Sequence, residues 1–164
     1  MGSHGRSMNL EEVVDDILDA LVSVDASRVP FKEFQPGEGP YGEPQLLKLI
    51  ADYLNRLPNY PNRVITKRTP DLLIPNEWAI EFKITRPFGD NGKEAEDWSV
   101  NLLHPYPGNV SSIGDCYKLL ELRGVERRAV AAIGYEPTPA RINLTPLVES
   151  FEAIASNNTF AKIA

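Results

Sequence analysis

Apolar residues recur along this chain with two periods, and the switches between them set out its elements. From Asn9 onward Leu10, Val13, Val14, Ile17, Leu18, Leu21 and Val22 keep helical spacing. The pattern predicts a helix with Asn9 as N-cap and Glu11 and Glu12 in its first turn, where carboxylates suit the dipole. That stripe reads as core or interface. Residues 30–44 hold Pro30, Pro36, Gly37, Gly39, Pro40, Gly42 and Pro44 and read as a loop. A second helix runs from about Pro44 to Leu57 on Leu46, Leu47, Leu49, Ile50, Tyr53, Leu54 and Leu57, and stops before Pro58. A short strand follows near Arg63 to Lys67.

The most informative stretch is Pro70 to Lys83. Residues 71–74 are an apolar run headed by Asp71; residues 78–84 alternate, with Trp78, Ile80, Phe82 and Ile84 on one face and Ala79, Glu81 and Lys83 on the other. Pro75-Asn76-Glu77 between them suits a three-residue turn. With that loop, Ile74 pairs with Trp78, Leu73 with Ala79, Leu72 with Ile80 and Asp71 with Glu81. Two carboxylates then stand opposite each other, where Cβ atoms are about 4.5–5.5 Å apart and like charges repel. A divalent cation is the natural neutraliser, since Mg²⁺ takes a few carboxylate oxygens and keeps several waters. Lys83 shares the face of Glu81, placed to orient an attacking water or to offset charge on a phosphorane.

Beyond this hairpin the pattern loosens. Arg86 to Gly108 is irregular, with Pro87, Gly89, Asn91-Gly92, Pro105, Pro107 and Gly108, and is expected to be a long functional or mobile loop. Its Trp98 and Tyr106 read as residues closing over the core more than as nucleotide-stacking groups, and His104 as a loop histidine without catalytic duty. Ser111 or Ser112 caps a helix that runs to Arg123 and ends at Gly124, on which Asp115 and Lys118 share a face. Arg127 to Tyr135 reads as a buried strand, and Ile142 to Asn143 as a brief extended piece. Thr145 then caps a last helix, with Pro146 at its first position and Leu147, Val148, Phe151, Ile154 and Ala155 as its stripe.

Composition narrows the chemistry. The length of 164 residues suits one domain over 8–164, with Met1 to Ser7 reading as an appended leader. Within the domain, 8–42 supplies the first helix and loop, 43–136 the core and 137–164 the last helix. The lone Cys116 admits no internal disulfide, which fits a reducing cytoplasm, and no apolar run has the length of a membrane span. With His4 in the leader, His104 and Cys116 stand alone, so Cys/His zinc sites and Ser or Cys triads are poor fits. A net charge of −6 argues against a protein that coats nucleic acid non-specifically, although Arg63, Lys67, Arg68, Lys83 and Arg86 gather around the hairpin.

Pro70-Asp71 followed by Glu81-Phe82-Lys83 resembles the motif of the PD-(D/E)xK nuclease superfamily. The resemblance covers roughly Glu43 to Glu136. It implies an α/β fold with a restriction endonuclease-like core, a central mixed sheet of about four strands flanked by helices in the order α-β-β-β-α-β. It further implies a metal-dependent endonuclease of DNA, with Asp71, Glu81 and Lys83 catalytic. Mg²⁺ or Mn²⁺ would be held by Asp71, Glu81, the Phe82 carbonyl and Glu43, and cleavage would leave a 5′-phosphate and a 3′-hydroxyl. Lys67, Arg68, Arg86 and Lys118 are the candidate nucleic-acid contacts, with a homodimer or a partner protein as the source of specificity. The alternative is a non-catalytic nucleic-acid-binding or assembly module that keeps the fold. A third reading, an unrelated α/β protein with a coincidental motif, would be favoured if Asp71 and Glu81 did not converge.

Overall fold

The computed structural model describes residues 7–30, 41–86, 98–104, 111–135 and 143–157. Two helices come first, α1 (Leu10–Ala26) and α2 (Glu43–Leu54), and three strands follow, β1 (Ile65–Thr66), β2 (Leu72–Ile74) and β3 (Trp78–Thr85). The chain then passes through α3 (Trp98–Leu103) and α4 (Ser112–Glu121) to β4 (Arg127–Gly134), and on to α5 (Leu144–Asn157). The sheet order is β1-β2-β3-β4, antiparallel through β3 and parallel from β3 to β4. This is an α/β architecture with a four-stranded mixed sheet flanked by helices.

Alternation along β3 divides the molecule. Trp78, Ile80, Phe82 and Ile84 join the main apolar core with Val13, Ile17, Leu46, Ile50 and Leu54, which belong to α1 and α2. Ala79, Glu81, Lys83 and Thr85 face the other way, toward the layer of α3 and α4. There the apolar clusters are smaller, one around Leu102 and Leu147 and one around Ile113 and Ala155. One face of β3 is therefore oily and the other can carry charge.

The hairpin register is the one its alternation predicts: Ile74 with Trp78, Leu73 with Ala79, Leu72 with Ile80. Asn76 makes the turn with φ 65°, a left-handed conformation that asparagine tolerates well, and Glu77 N–H closes it on the Ile74 carbonyl at 2.9 Å. The turn also anchors the start of α1. Glu77 Oε2 accepts from Met8 N–H at 2.9 Å, Trp78 Nε1 donates to the Met8 carbonyl at 3.1 Å, and the Arg127 guanidinium pairs with Glu77 while lying 4.2 Å over the Trp78 ring. Asn9 caps α1 as expected, and its box with Glu12 is complete.

Several boundaries differ from the sequence reading, each for a local reason. Helix α2 ends at Leu54 because the Asn55 side chain turns away to clasp Val64, donating to its carbonyl at 2.9 Å and accepting its N–H at 2.8 Å. Helix α4 stops at Glu121, short of Gly124, because Arg128 takes the Leu122 carbonyl at 2.7 Å and does the work of a C-cap. Asn143, and not Thr145, caps α5, its Oδ1 accepting the Thr145 N–H at 3.2 Å. Part of the expected 86–108 loop is helix α3. Strand β4 is not buried: it lies at the sheet edge, and its run of alanines leaves it exposed or half-covered along its length. The α1 stripe splits likewise, with Val13, Ile17 and Leu21 buried and Val14, Leu18 and Val22 exposed.

Ile80 sits at the centre of this arrangement, 1% exposed, between β2 and the α1–α2 layer. Ile80→Ala is expected to cost about 2–5 kcal/mol through lost burial and the cavity left behind. A lowered urea midpoint at unchanged slope is the readout; a cost below about 1 kcal/mol would mean that the hairpin does not depend on this core.

Candidate functional site

The site is made where β2 parts from β3. Continuing the ladder by two residues would set Pro70 opposite Phe82. Proline has no N–H, so the ladder cannot go on there. The Asp71 side chain takes over: its Oδ2 accepts the Phe82 N–H at 2.8 Å. In an extended strand the N–H and C=O of one residue point to the same edge, so the Phe82 carbonyl is also directed to the edge where Asp71 stands. Glu43, the first residue of α2, reaches the same edge one step further on, at the Ile84 backbone.

Glu81 projects from the charged face of β3 and is 1% exposed, with Oε1 making no hydrogen bond. Burial, followed by the hydrogen bond and charge of Asp71 and then the charge of Asp115, pushes its pKa up to about 8; the Lys118 ammonium works against the rise. The two carboxyls opposed in the register thus do meet, and their proximity adds to the burial that raises Glu81. Glu43 is raised as well, first by burial and then by the Asp71 and Asp115 charges, with Lys83 and the Ile84 backbone hydrogen bond restraining the shift.

A further carboxylate comes from α4. Asp115 is fully buried, with Oδ1 2.6 Å from Lys118 Nζ and Oδ2 3.3 Å from Lys83 Nζ. Its helix starts firmly: Ser111 Oγ accepts the Gly114 N–H at 3.1 Å and donates to the His104 carbonyl at 2.7 Å. For Lys118 burial disfavours the charge, but the bond to Asp115 and the charges of Asp115, Glu81 and Asp71 outweigh it, and the pKa is raised. Asp115 is the site residue that sequence reasoning passed over. Its spacing to Lys118 was visible, whereas its approach to Lys83 depends on how α4 crosses β3.

These oxygens suit a hard cation such as Mg²⁺ or Mn²⁺: Asp71 and Glu81 side by side, the Glu81 Oε1 without a donor, and the Phe82 carbonyl directed to the same edge. Among the described residues, no group of three or more His, Cys, Asp or Glu side chains stands ready to hold a metal ion. Glu43 joins the electrostatics of the site without closing such a cluster.

The basic residues are dispersed. Lys67 and Arg68 are exposed on the turn before Asp71, and the Lys67 N–H donates to the Asp71 carbonyl at 3.2 Å. Beside them lies a cleft of about 430 Å³ lined by Lys67, Thr69, Pro70, Leu122, Arg123 and Arg128. Arg86 ties the end of β3 to the entry of α2, Nη1 donating to the Tyr41 carbonyl at 3.0 Å. Arg63 lines a separate cleft with Glu12, Asp15 and Asp16. His104 is half-buried below the start of α4; Tyr106 and the Trp98 side chain lie outside what is described. Compared with family models, curated proteins and solved structures, the chain matches none.

The raised pKa of Glu81 gives the site a pH signature. Glu81 holds its proton up to about pH 8 when folded but only to 4.5 when unfolded, so the stability it contributes is complete below 4.5 and is lost as pH rises through 8. Glu81→Gln, with nothing to ionise, is expected to gain on the wild type in EDTA as pH rises from about 5 to about 9. Urea midpoints across that range test this, and parallel curves for the two proteins would refute it.

Proposed function

We propose that this protein is a metal-dependent endonuclease that hydrolyses DNA phosphodiester bonds, with the restriction endonuclease-like core of the PD-(D/E)xK superfamily. The observation that carries the reading is the meeting of Asp71 and Glu81 at the end of the β2–β3 ladder, with Lys83 on the same face as Glu81. Folding alone does not call for two carboxyls pressed together in a buried place, because the pairing opposes stability.

Asp71, Glu81 and the Phe82 carbonyl are the residues that would hold Mg²⁺ or Mn²⁺, with Glu43 behind them. An ion held there would supply a nucleophilic water near neutral pH and would relieve charge on the leaving oxygen. Lys83 donates hydrogen bonds to the attacking water and to the phosphate oxygen that gains charge in the transition state. Lys67 and Arg68, beside the cleft that ends at Pro70, hold flanking backbone phosphates, and Lys118 and Arg86 border the site from α4 and from the end of β3. A homodimer suits double-strand cleavage, since one site cuts one strand.

Two observations favour a second reading, the non-catalytic binding module. Asp71 Oδ2 is already committed to Phe82, and no ready metal cluster is present among the described residues. Cleavage of supercoiled plasmid and single-stranded DNA in Mg²⁺, Mn²⁺ or EDTA separates the two. The nuclease reading expects metal-dependent nicking, absent in EDTA and reduced by at least about 10²-fold in Lys83→Ala and Asp71→Ala. DNA binding that survives EDTA and Lys83→Ala, with no cutting in any metal, would establish the module instead. Absence of both cutting and Asp71-dependent Mn²⁺ binding would leave the motif a coincidence.

A further inference from the structure

Asp115 carries a carboxylate into a place where carboxylates are expensive. It is 0% exposed, on the first turn of α4, and an apolar residue or an asparagine there would avoid the desolvation. What it meets is specific. One oxygen is taken by Lys118, whose side chain is 40% exposed, and the other faces Lys83, whose side chain is 12% exposed. Apart from Lys83, Oδ2 has no polar partner.

The backbone under Asp115 is held by hydrogen bonds. Asp115 N–H donates to the Ser111 carbonyl at 2.8 Å, and buried Ser111 is itself bonded on both sides, so the carboxylate is presented from a stationary turn. Lysine ends in a compact charge on a flexible stem and loses considerable rotamer freedom when held in one place. Lys83 extends from the centre of the sheet toward α4 and ends at this carboxylate. Lys118 satisfies the second oxygen, at 2.6 Å.

We propose that Asp115 is a positioning residue: it fixes the Lys83 ammonium at the β2–β3 fork, and Lys118 completes its neutralisation from the solvent side. The consequence for rate rests on the nuclease reading; the holding of Lys83 does not. Asp115 touches no reacting atom in this scheme; its charge is felt at Glu81 and Glu43 as well, but the motif side chain it contacts is Lys83, which separates it from a residue that binds metal or substrate.

A double-mutant cycle in kcat is the test. Asp115→Asn is expected to lower kcat about 10- to 100-fold, with KM and the affinity for uncut DNA in Ca²⁺ changed less than about 2-fold. In a Lys83→Ala background the same substitution should change kcat by no more than about 2-fold, because there is nothing left to position. Should Asp115→Asn fail to fold, Asp115→Glu keeps the charge and displaces it by one methylene, and is expected to lower kcat in the same way. Losses that multiply in the double mutant, or full kcat in Asp115→Asn, would overturn the proposal.

Failure of the nuclease reading is seen separately, as wild type that cuts nothing in any metal. The holding of Lys83 is then read from amine acylation followed by mass spectrometry. Asp115→Asn should raise Lys83 labelling about 5-fold or more relative to the exposed Lys48, and equal labelling in the two proteins would sink the proposal even without an activity to measure.

Discussion

The hydrogen bond from Phe82 N–H to Asp71 turns the end of a strand ladder into a place for chemistry. Had β2 continued, Phe82 would have spent its amide and carbonyl on backbone partners, and Asp71 would have been an ordinary strand residue. Pro70 forbids continuation by lacking a donor, and the Asp71 side chain satisfies the amide that is left over. That substitution leaves a carbonyl directed outward and a carboxylate locked beside it. Glu81 comes into range because it is next in line on the charged face of β3, and Glu43 because α2 starts at the same edge.

Such a site has to be carried by the rest of the fold. Placing Glu81 against Asp71 with little solvent works against stability, as its raised pKa records. The compensation lies on the opposite face of the same strand, where Ile80 and Phe82 are buried among α1 and α2 side chains. A single eight-residue strand therefore has two opposed duties, and the strict alternation of its side chains keeps them apart. A register slip of one residue would exchange the faces and put Glu81 in the apolar core. The turn at Pro75-Asn76-Glu77 guards against that slip, and Glu77 also pins Met8 and Arg127 to it.

How much of this could be read from the residues follows from how local each feature is. The hairpin register, the Asn9 cap, the two-faced β3 and the approach of Asp71 to Glu81 depend on neighbours within about a dozen positions, and the pattern of residue types contained them. Helix ends were misread where a distant side chain intervened, as when Arg128 capped α4 or Asn55 clasped Val64. Strand β4 looked buried because alanine, valine and isoleucine dominate it; composition does not reveal which strand of a sheet becomes the edge. Asp115 was legible as a partner of Lys118, three residues away, but not as a partner of Lys83, because that contact is set by packing across 32 positions of chain.

The distance between those two kinds of contact bears on how the site works as a unit. Asp71, Glu81 and Lys83 all belong to the hairpin, whereas Asp115 and Lys118 are brought to it by α4, which packs over β3. In that seam Lys83 is paired and Glu81 is desolvated, with its pKa raised. The electrostatic character of the site is thus a property of the β3–α4 seam more than of the motif residues themselves. A change in α4 packing far from Asp71 would alter the charge state of Glu81 without touching it, so stability and site chemistry should vary together along that seam.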